Sequence, residues 1–166
     1  MLATILGAAL ALTLAVAVAP QQPAHAYSGS GSPTIAKRLV AKTYTARLSA
    51  KRAKAVRVAI AQRGDRYRYG ATGPNAFDCS GLTSYAWKVA GKKIPRTSTA
   101  QRNWTKRVAM SKKLPGDLLF YRGHAAMYVG FSSGKHWMME APYTGKPVRL
   151  VQMRTKGLIK IGRIRI

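Results

Sequence analysis

Residues 77–82 read FDCSGL, and they contain the single cysteine of the chain, Cys79. The loop before them, residues 67–77, is rich in glycine and other turn residues. Between Cys79 and Gly91, apolar side chains recur at helical spacing, at Leu82, Tyr85, Ala86 and Val89. The flanking Asp78 and Ser80 are residue types that cap the start of a helix. The sequence therefore predicts a helix that begins at the only thiol and buries these apolar side chains.

A thiol at a helix start has a physical reason to be reactive. Unpaired backbone N–H groups and the helix dipole stabilise a thiolate, which lowers a thiol pKa of ~8.5. The alternative is an inert, buried cysteine, and the local pattern leaves both readings open. Because Cys79 has no second cysteine to pair with, the domain must be held together by its core alone.

A nucleophilic thiol needs a base, and the base needs an orienting group. Two histidines lie beyond residue 26. His124 follows Gly123 and opens an apolar strand pattern, whereas His136 lies beside the turn residues 132–134, which suits an exposed position. His124 is therefore the preferred candidate base, although a histidine at a strand end is often only a half-buried polar residue.

Of the four acidic residues, Asp65 and Asp117 take turn positions, Asp78 caps the predicted helix and Glu140 lies in an apolar strand pattern. If the chain folds back at residues 132–134, His124 lies opposite Glu140 or within two positions of it on the same face. A carboxylate there holds the imidazole in the tautomer that accepts a thiol proton. The alternative for Glu140 is an ion pair with one of the many basic residues.

The wider pattern predicts an α+β domain. Residues 34–63 form one or two basic amphipathic helices that end at Gly64, and a short helix spans residues 99–104. Five strand-like runs follow, at residues 117–122, 124–131, 135–141, 148–153 and 159–166. Helices followed by a meander of strands are typical of helices packed on an antiparallel sheet.

The first 26 residues differ in kind from the rest. Residues 2–19 are almost wholly apolar, and residues 24–26 read AHA, which is the pattern of a secretory signal peptide and its cleavage site. An uncleaved membrane anchor is the alternative, because the run approaches the ~20 residues of a spanning helix. We expect residues 1–26 to direct export to the cell envelope or beyond, residues 27–50 to form a basic linker or pro-segment, and residues 51–166 to form the catalytic domain.

The charge of the chain is extreme, with 29 Lys and Arg against four acidic residues and a formal net charge of +25. Such a field attracts polyanions. For an exported protein, anionic cell-wall polymer is the expected partner and specific nucleic-acid binding is not, although the charge by itself does not separate the two.

At this point the residues resemble the NlpC family of bacterial cell-wall cysteine peptidases, over about residues 53–149. Six segments appear in the family's order. They are residues 67–70 (YRYG), residues 77–82, residues 94–98 (IPRTS) with Gln101, residues 115–118 (PGDL), His124 with residues 127–130 (MYVG), and residues 140–142 (EAP).

The resemblance implies a papain-like α+β fold, with N-terminal helices packed on a central antiparallel sheet. It also implies hydrolysis of a peptidoglycan stem peptide between D-γ-glutamate and diaminopimelate or lysine. We expect the reaction to need no metal or cofactor and the protein to be a monomer. By this resemblance Cys79, His124 and Glu140 are the catalytic residues. The same resemblance implies that the positions of Tyr67, Asp78 and Ser80 contribute to binding the substrate.

Two departures keep alternatives open. The third catalytic position in the family is often histidine. The stretch from His124 to Glu140 is also a few residues longer than the family's pattern, so His136 remains a rival orienting residue. A cationic binding protein with a vestigial site is a second reading of the whole chain. An amidase or transferase of the same fold is a third.

Overall fold

The computed structural model describes residues 32–45 and 48–166. The predicted signal peptide, residues 1–26, and the beginning of the predicted linker lie outside these ranges. Within them, no helix is both long and apolar enough to cross a membrane.

Four α-helices and a short 3-10 helix are present. Residues 34–63 form two helices, and the second is capped by Ser49, whose side chain accepts a hydrogen bond from the backbone N–H of Arg52. The helices are α1 (Pro33–Thr45), α2 (Ala50–Ala61), α3 (Cys79–Val89) and α4 (Ser98–Trp104), and the 3-10 helix is Met110–Lys112. The predicted helix start at Cys79 is confirmed.

Eight strands form two sheets. They are β1 (Arg66–Tyr67), β2 (Ala76–Phe77), β3 (Lys106–Val108), β4 (Leu118–Tyr121), β5 (His124–Ser132), β6 (Lys135–Glu140), β7 (Arg149–Gln152) and β8 (Lys160–Arg163). The short strands β1 and β2 pair in parallel, and the other six form an antiparallel sheet in the order β3-β8-β4-β5-β6-β7. All five strands predicted from the sequence are present. Strands β1, β2 and β3 were not predicted, because two or three residues are too few to show an alternating pattern.

The helices pack on one face of the large sheet, so the predicted α+β, papain-like architecture is confirmed. Leu82 and Ala86 of α3 pack with Ala125 and Met127 of β5 in the main core. Helix α1 also contributes to this core through Leu39, which is almost fully buried. Residues 33–45 of the predicted linker or pro-segment are therefore helical and packed on the domain.

One part of the predicted helix face was wrong. Val89 is exposed, whereas Trp87 is fully buried. The reason is that α3 lies between α2 and β5 and so buries two sides. A single apolar stripe read from the sequence describes only one of them.

The hairpin of β5 and β6 has the predicted turn. Ser133 and Gly134 both have positive φ, 51° and 73°, as the tight turn of a two-residue hairpin requires. Met127 pairs with Met139, and a register shift between Tyr128 and Gly130 marks a β-bulge nearer the turn. Extended to its end, the register brings His124 opposite residue 142, two positions from Glu140, which agrees with the predicted even offset.

Asp117 is more than the turn residue that the sequence indicated. Its carboxylate is fully buried and accepts hydrogen bonds from Arg52 of α2 at 2.8 Å and from Arg163 of β8 at 2.7 and 3.0 Å. It also accepts the backbone N–H of Leu114 at 2.8 Å. The Asp117 carboxylate thus ties helix α2 to strand β8.

Candidate active site

The start of α3 holds Cys79 in a tightly built turn. The Asp78 carboxylate caps the helix by accepting the N–H of Gly81 at 2.7 Å, and it accepts the N–H of Gly70 at 2.9 Å. A side chain at position 81 would collide with the backbone carbonyl of Ala71, so only glycine allows this approach. Helix start and preceding loop are therefore locked together around the sulfur.

The thiol of Cys79 lies against His124. Burial alone raises the pKa of Cys79, but a hydrogen bond with the His124 side chain, a backbone hydrogen bond from Ala125 and the charge of His124 bring the pKa below its usual value. Burial lowers the pKa of His124, and its hydrogen bonds to Cys79 and Glu140 outweigh this and raise it to about 9. A thiolate and an imidazolium are the protonation states that these shifts favour.

His124 is joined to Glu140 on its other ring nitrogen. Nε2 of His124 lies 3.0 Å from Oε2 of Glu140, whose side chain is fully buried at the end of β6. This bond leaves Nδ1 as the ring nitrogen available to the thiol. Cys79, His124 and Glu140 therefore form a continuous chain of contacts.

Two arginines hold the Glu140 carboxylate. Arg149 of β7 donates to Oε1 at 2.8 and 2.9 Å, and Arg154 donates to Oε1 at 3.0 Å and to Oε2 at 2.7 Å. Burial raises the pKa of Glu140, but the bonds from His124, Arg154 and Arg149 hold it well below its usual range. The carboxylate stays ionised although it is removed from water.

Tyr121 supports this arrangement from β4. Its ring lies 5.1 Å from the guanidinium carbon of Arg154, and its hydroxyl donates to the Arg154 carbonyl at 2.8 Å. Burial raises the pKa of Tyr121 to about 12, so the hydroxyl remains a donor at neutral pH. The segment that carries Arg154 is thus fastened to the strand next to His124.

These residues open onto one groove with a volume of about 620 Å³. The thiol and both partners lie in its wall, so the groove gives a ligand access to a sulfur that is itself only partly exposed. The lining residues are Tyr67, Cys79, Tyr121, Arg122, Gly123, His124, Glu140, Pro142, Tyr143, Arg149, Arg154, Lys156 and Gly157.

The three residues expected to bind substrate are placed differently from one another. Tyr67 lines the groove beside Cys79. Asp78 and Ser80 are buried and share hydrogen bonds with Arg96, which donates to the Asp78 carboxylate at 2.6 and 3.0 Å and to the Ser80 hydroxyl at 2.9 Å. Burial raises the pKa of Asp78, but the Arg96 hydrogen bond and the backbone donors lower it overall.

His136 lies away from the candidate base. Its Nδ1 is 2.8 Å from the Tyr128 hydroxyl, and its ring lies 4.9 Å from that of Phe131, close to the hairpin turn. His124 has Glu140 and not His136 as its bonded partner. The geometry therefore favours Glu140 as the orienting residue.

Sequence reasoning missed three site residues, Arg96, Arg149 and Arg154. Arg96 lies in a segment that carried the family resemblance, so that segment was a signal for it. Glu140 pairs directly with Arg149 across β6 and β7, and that strand register was the only signal for Arg149. In the described part of the chain, no three His, Cys, Asp or Glu side chains are grouped so as to hold a metal ion.

A family model matches the part of the sequence that carries these residues. The model of the NlpC/P60 family matches residues 64–161, more than half of the chain. A Corynebacterium glutamicum protein described as a probable endopeptidase is 49% identical over 86 residues, which cover 51% of this chain and 40% of that protein. The chain thus matches less than half the length of that relative.

Two solved proteins share the fold. Variants of the resuscitation promoting factor interacting protein RipA, mutated at a histidine, a cysteine and a glutamate, are 28%, 28% and 29% identical with a TM-score of 0.60. Each comparison covers 68% of this chain and 61% of the other. RipD from Mycobacterium tuberculosis, described as a non-catalytic NlpC/p60 domain protein adapted to peptidoglycan binding, is 26% identical with a TM-score of 0.60, over 71% of this chain and 100% of its own.

Proposed function

The chain belongs to the NlpC/P60 family, and on that premise we propose that it is a peptidoglycan endopeptidase with Cys79 as its nucleophile. The carrying observation is the unbroken contact from Cys79 through His124 to Glu140 in the wall of an open groove. Nucleophile, base and orienting group in hydrogen-bonding reach are the requirement for covalent catalysis by a thiol.

The reaction is an acyl transfer in two halves. The Cys79 thiolate attacks the amide carbonyl carbon, the C–N bond breaks, and the His124 imidazolium gives its proton to the leaving nitrogen. The acyl group is then a thioester on Cys79. Neutral His124 takes a proton from water, whose oxygen attacks the thioester and releases the carboxylic acid. The backbone N–H of Cys79 stabilises the oxyanion in both halves.

Glu140 orients His124 and stabilises its protonated form. Arg149 and Arg154 act through Glu140, since they hold its two oxygens in fixed positions. The buried carboxylate costs little to keep charged because all of its acceptor positions face donors. The base therefore keeps one orientation through both halves of the reaction.

The scissile bond is the one that the family resemblance implies, between D-γ-glutamate and diaminopimelate or lysine in a stem peptide. In this proposal two features contribute to substrate binding. One is Tyr67, beside the thiol, and the other is the cluster of Asp78, Ser80 and Arg96 at the start of α3. An amidase or transferase would use the same residues on a different bond, so the products distinguish them.

A binding protein without catalysis is the second candidate, and RipD is the reason to consider it. A binding module has no use for a thiol, an imidazole and a carboxylate joined in series. Their presence here, with the pKa of Cys79 lowered by His124, supports catalysis over binding alone.

The deciding experiment incubates the purified protein with peptidoglycan and with a synthetic L-Ala-D-γ-Glu-diaminopimelate peptide, and identifies products by mass spectrometry. We expect a new amine at diaminopimelate, and none with Cys79→Ala. Intact substrate with the unaltered protein, or cleavage that survives Cys79→Ala, would refute the proposal.

We further propose export by residues 1–26 and retention at the cell envelope by charge. The net charge of +25 has few internal partners, because only four acidic residues are present. Anionic cell-wall polymer then neutralises the remaining cations.

A further inference from the structure

The groove carries an excess of positive charge. Among residues 32–45 and 48–166, four basic residues line it, Arg122, Arg149, Arg154 and Lys156, and Glu140 is the only acidic one. At neutral pH the thiolate and the imidazolium of the catalytic pair cancel. The lining therefore keeps a net charge of about three positive units, which is a field suited to an anionic ligand.

Two of the four cations are already engaged. Arg149 and Arg154 together make four hydrogen bonds to the Glu140 carboxylate. Arg122 and Lys156 are exposed, and neither side chain has a hydrogen-bond or ion-pair partner among residues 32–45 and 48–166. These two are the groove cations free to bind a ligand.

Arg122 and Lys156 lie on two turns whose neighbouring residues are joined by hydrogen bonds. The Tyr121 hydroxyl bonds to the Arg154 carbonyl at 2.8 Å, and the Ile159 N–H donates to the Phe120 carbonyl at 2.8 Å. The turns are thus held side by side at the same wall of the groove.

Each of the two cations precedes a glycine with positive φ, Gly123 at 67° and Gly157 at 75°. Both glycines line the groove as well. An added Cβ would meet no atom within 4 Å at either position, so it is the positive φ of these turns that favours glycine.

The position relative to His124 determines which part of a substrate they meet. His124 delivers its proton to the leaving amine, so the leaving group lies on the His124 side of the thiol. Arg122 is two residues before His124, and Lys156 lines the groove from the turn that is bonded beside that of Arg122. Both cations are therefore beside the leaving group and not beside the acyl group.

We propose that Arg122 and Lys156 form a subsite that binds a carboxylate of the leaving-group residue. This inference rests on the proposed function. Among the two diamino acids that can follow D-γ-glutamate, diaminopimelate carries a side-chain carboxylate and lysine does not. The subsite thus selects diaminopimelate with a free carboxylate, and it discriminates against lysine and against diaminopimelate whose side-chain carboxyl is amidated.

The test compares two tripeptides that differ only in charge, L-Ala-D-γ-Glu-diaminopimelate and the same peptide with the side-chain carboxyl as a carboxamide. We expect kcat/KM for the carboxylate peptide to exceed that for the carboxamide by roughly five- to tenfold, the size of two exposed ion pairs. The double variant Arg122→Gln/Lys156→Gln should lose this preference, so that its kcat/KM is the same for the two peptides.

A matched control removes the same charge elsewhere. Arg165 and Lys135 are exposed, and neither lines the groove. Arg165→Gln/Lys135→Gln should keep the preference. If this control loses it equally, or if Arg122→Gln/Lys156→Gln keeps it, the subsite is wrong.

Binding separates this inference from the proposed function. The Kd of both tripeptides is measured by calorimetry on Cys79→Ala, which binds without turnover, with and without the Arg122→Gln/Lys156→Gln change. Tighter binding of the carboxylate peptide that depends on the two cations supports the subsite even if the unaltered protein cleaves neither peptide. Equal Kd values for the two peptides overturn it even if both are cleaved.

Discussion

Nε2 of His124 lies 3.0 Å from Oε2 of Glu140, a carboxylate with no exposed surface. Two arginines share the same carboxylate, so Glu140 is an acceptor in five hydrogen bonds from three side chains. Because Nε2 of His124 is bonded to Glu140, Nδ1 is the ring nitrogen that exchanges a proton with the thiol. Each of the first three predictions below depends on it.

Glu140→Gln should lower kcat by a factor on the order of 10² to 10⁴, because the amide supports the wrong imidazole tautomer and cannot stabilise the imidazolium. His136→Ala is the matched control, and we expect near-normal activity because His136 bonds to Tyr128 instead. Initial rates on the stem peptide measure both. A larger loss from His136→Ala would transfer the orienting role to His136.

Arg154→Gln should reduce kcat less than Glu140→Gln does and should move the basic limb of the pH–rate profile to higher pH. The physical reason is that Arg154 offsets the negative charge of Glu140, and with Arg154 removed the carboxylate stabilises the His124 imidazolium more strongly. Arg165→Gln, outside the groove, should leave the profile unchanged. A basic limb that stays in place or moves to lower pH would contradict this role.

The pH dependence should follow the thiolate–imidazolium pair. Activity requires the Cys79 thiolate and protonated His124. It should fall as pH rises through about 9, where His124 loses its proton. It should also fall at acidic pH, where the Cys79 thiolate becomes protonated, and this loss should come below the usual thiol pKa because the pKa of Cys79 is lowered. The raised pKa of His124 also contributes stability that is complete below ~6.5 and lost as pH rises through about 9.

Alkylation tests the acidic side directly, because Cys79 is the only thiol in the chain. Iodoacetamide should modify the protein at pH values below the ordinary thiol pKa of ~8.5, and His124→Ala should shift that titration toward the ordinary value. Cys79→Ala gives the background. Identical titration curves for the unaltered protein and His124→Ala would show that His124 does not tune the thiol.

Asp117→Ala should destabilise the fold by roughly 3–5 kcal/mol, because it leaves the buried Arg52 without its carboxylate partner. Urea denaturation measures the free energy of unfolding, and Lys135→Gln serves as a surface control. A loss below about 1 kcal/mol, typical of an exposed ion pair, would mean that the network is not structural.

Binding to purified cell wall should weaken steeply with salt. Electrostatic retention predicts that the sedimented fraction falls as sodium chloride rises from about 50 to about 500 mM, because the Debye length shortens. Cys79→Ala should bind equally, since retention does not use the thiol. Binding that stays level across this range would refute retention by charge.

Much of the fold was predictable because its signals are local. The helix start at Cys79 follows from a capping residue and apolar spacing within one turn. The β5–β6 hairpin follows from two residues that tolerate positive φ between strand patterns, and it brings His124 near Glu140 without any further information. The catalytic roles of these residues stay predictions until activity is measured.

The sequence by itself therefore determined the four α-helices, the strands β4 to β8, their order and the thiol at the head of α3, since each depends on neighbouring residues. Only the tertiary structure decided which of the 29 basic residues hold the acidic ones. These ion pairs join different elements of the structure. They are Arg149 and Arg154 with Glu140, Arg96 with Asp78, and Arg52 and Arg163 with Asp117. Every basic residue carries the same charge, so composition cannot rank them. Strand register and turn geometry place particular guanidinium groups within 3 Å of a buried carboxylate. Within the part of the chain that the structure describes, they leave Arg122 and Lys156 without an ion-pair partner in the groove.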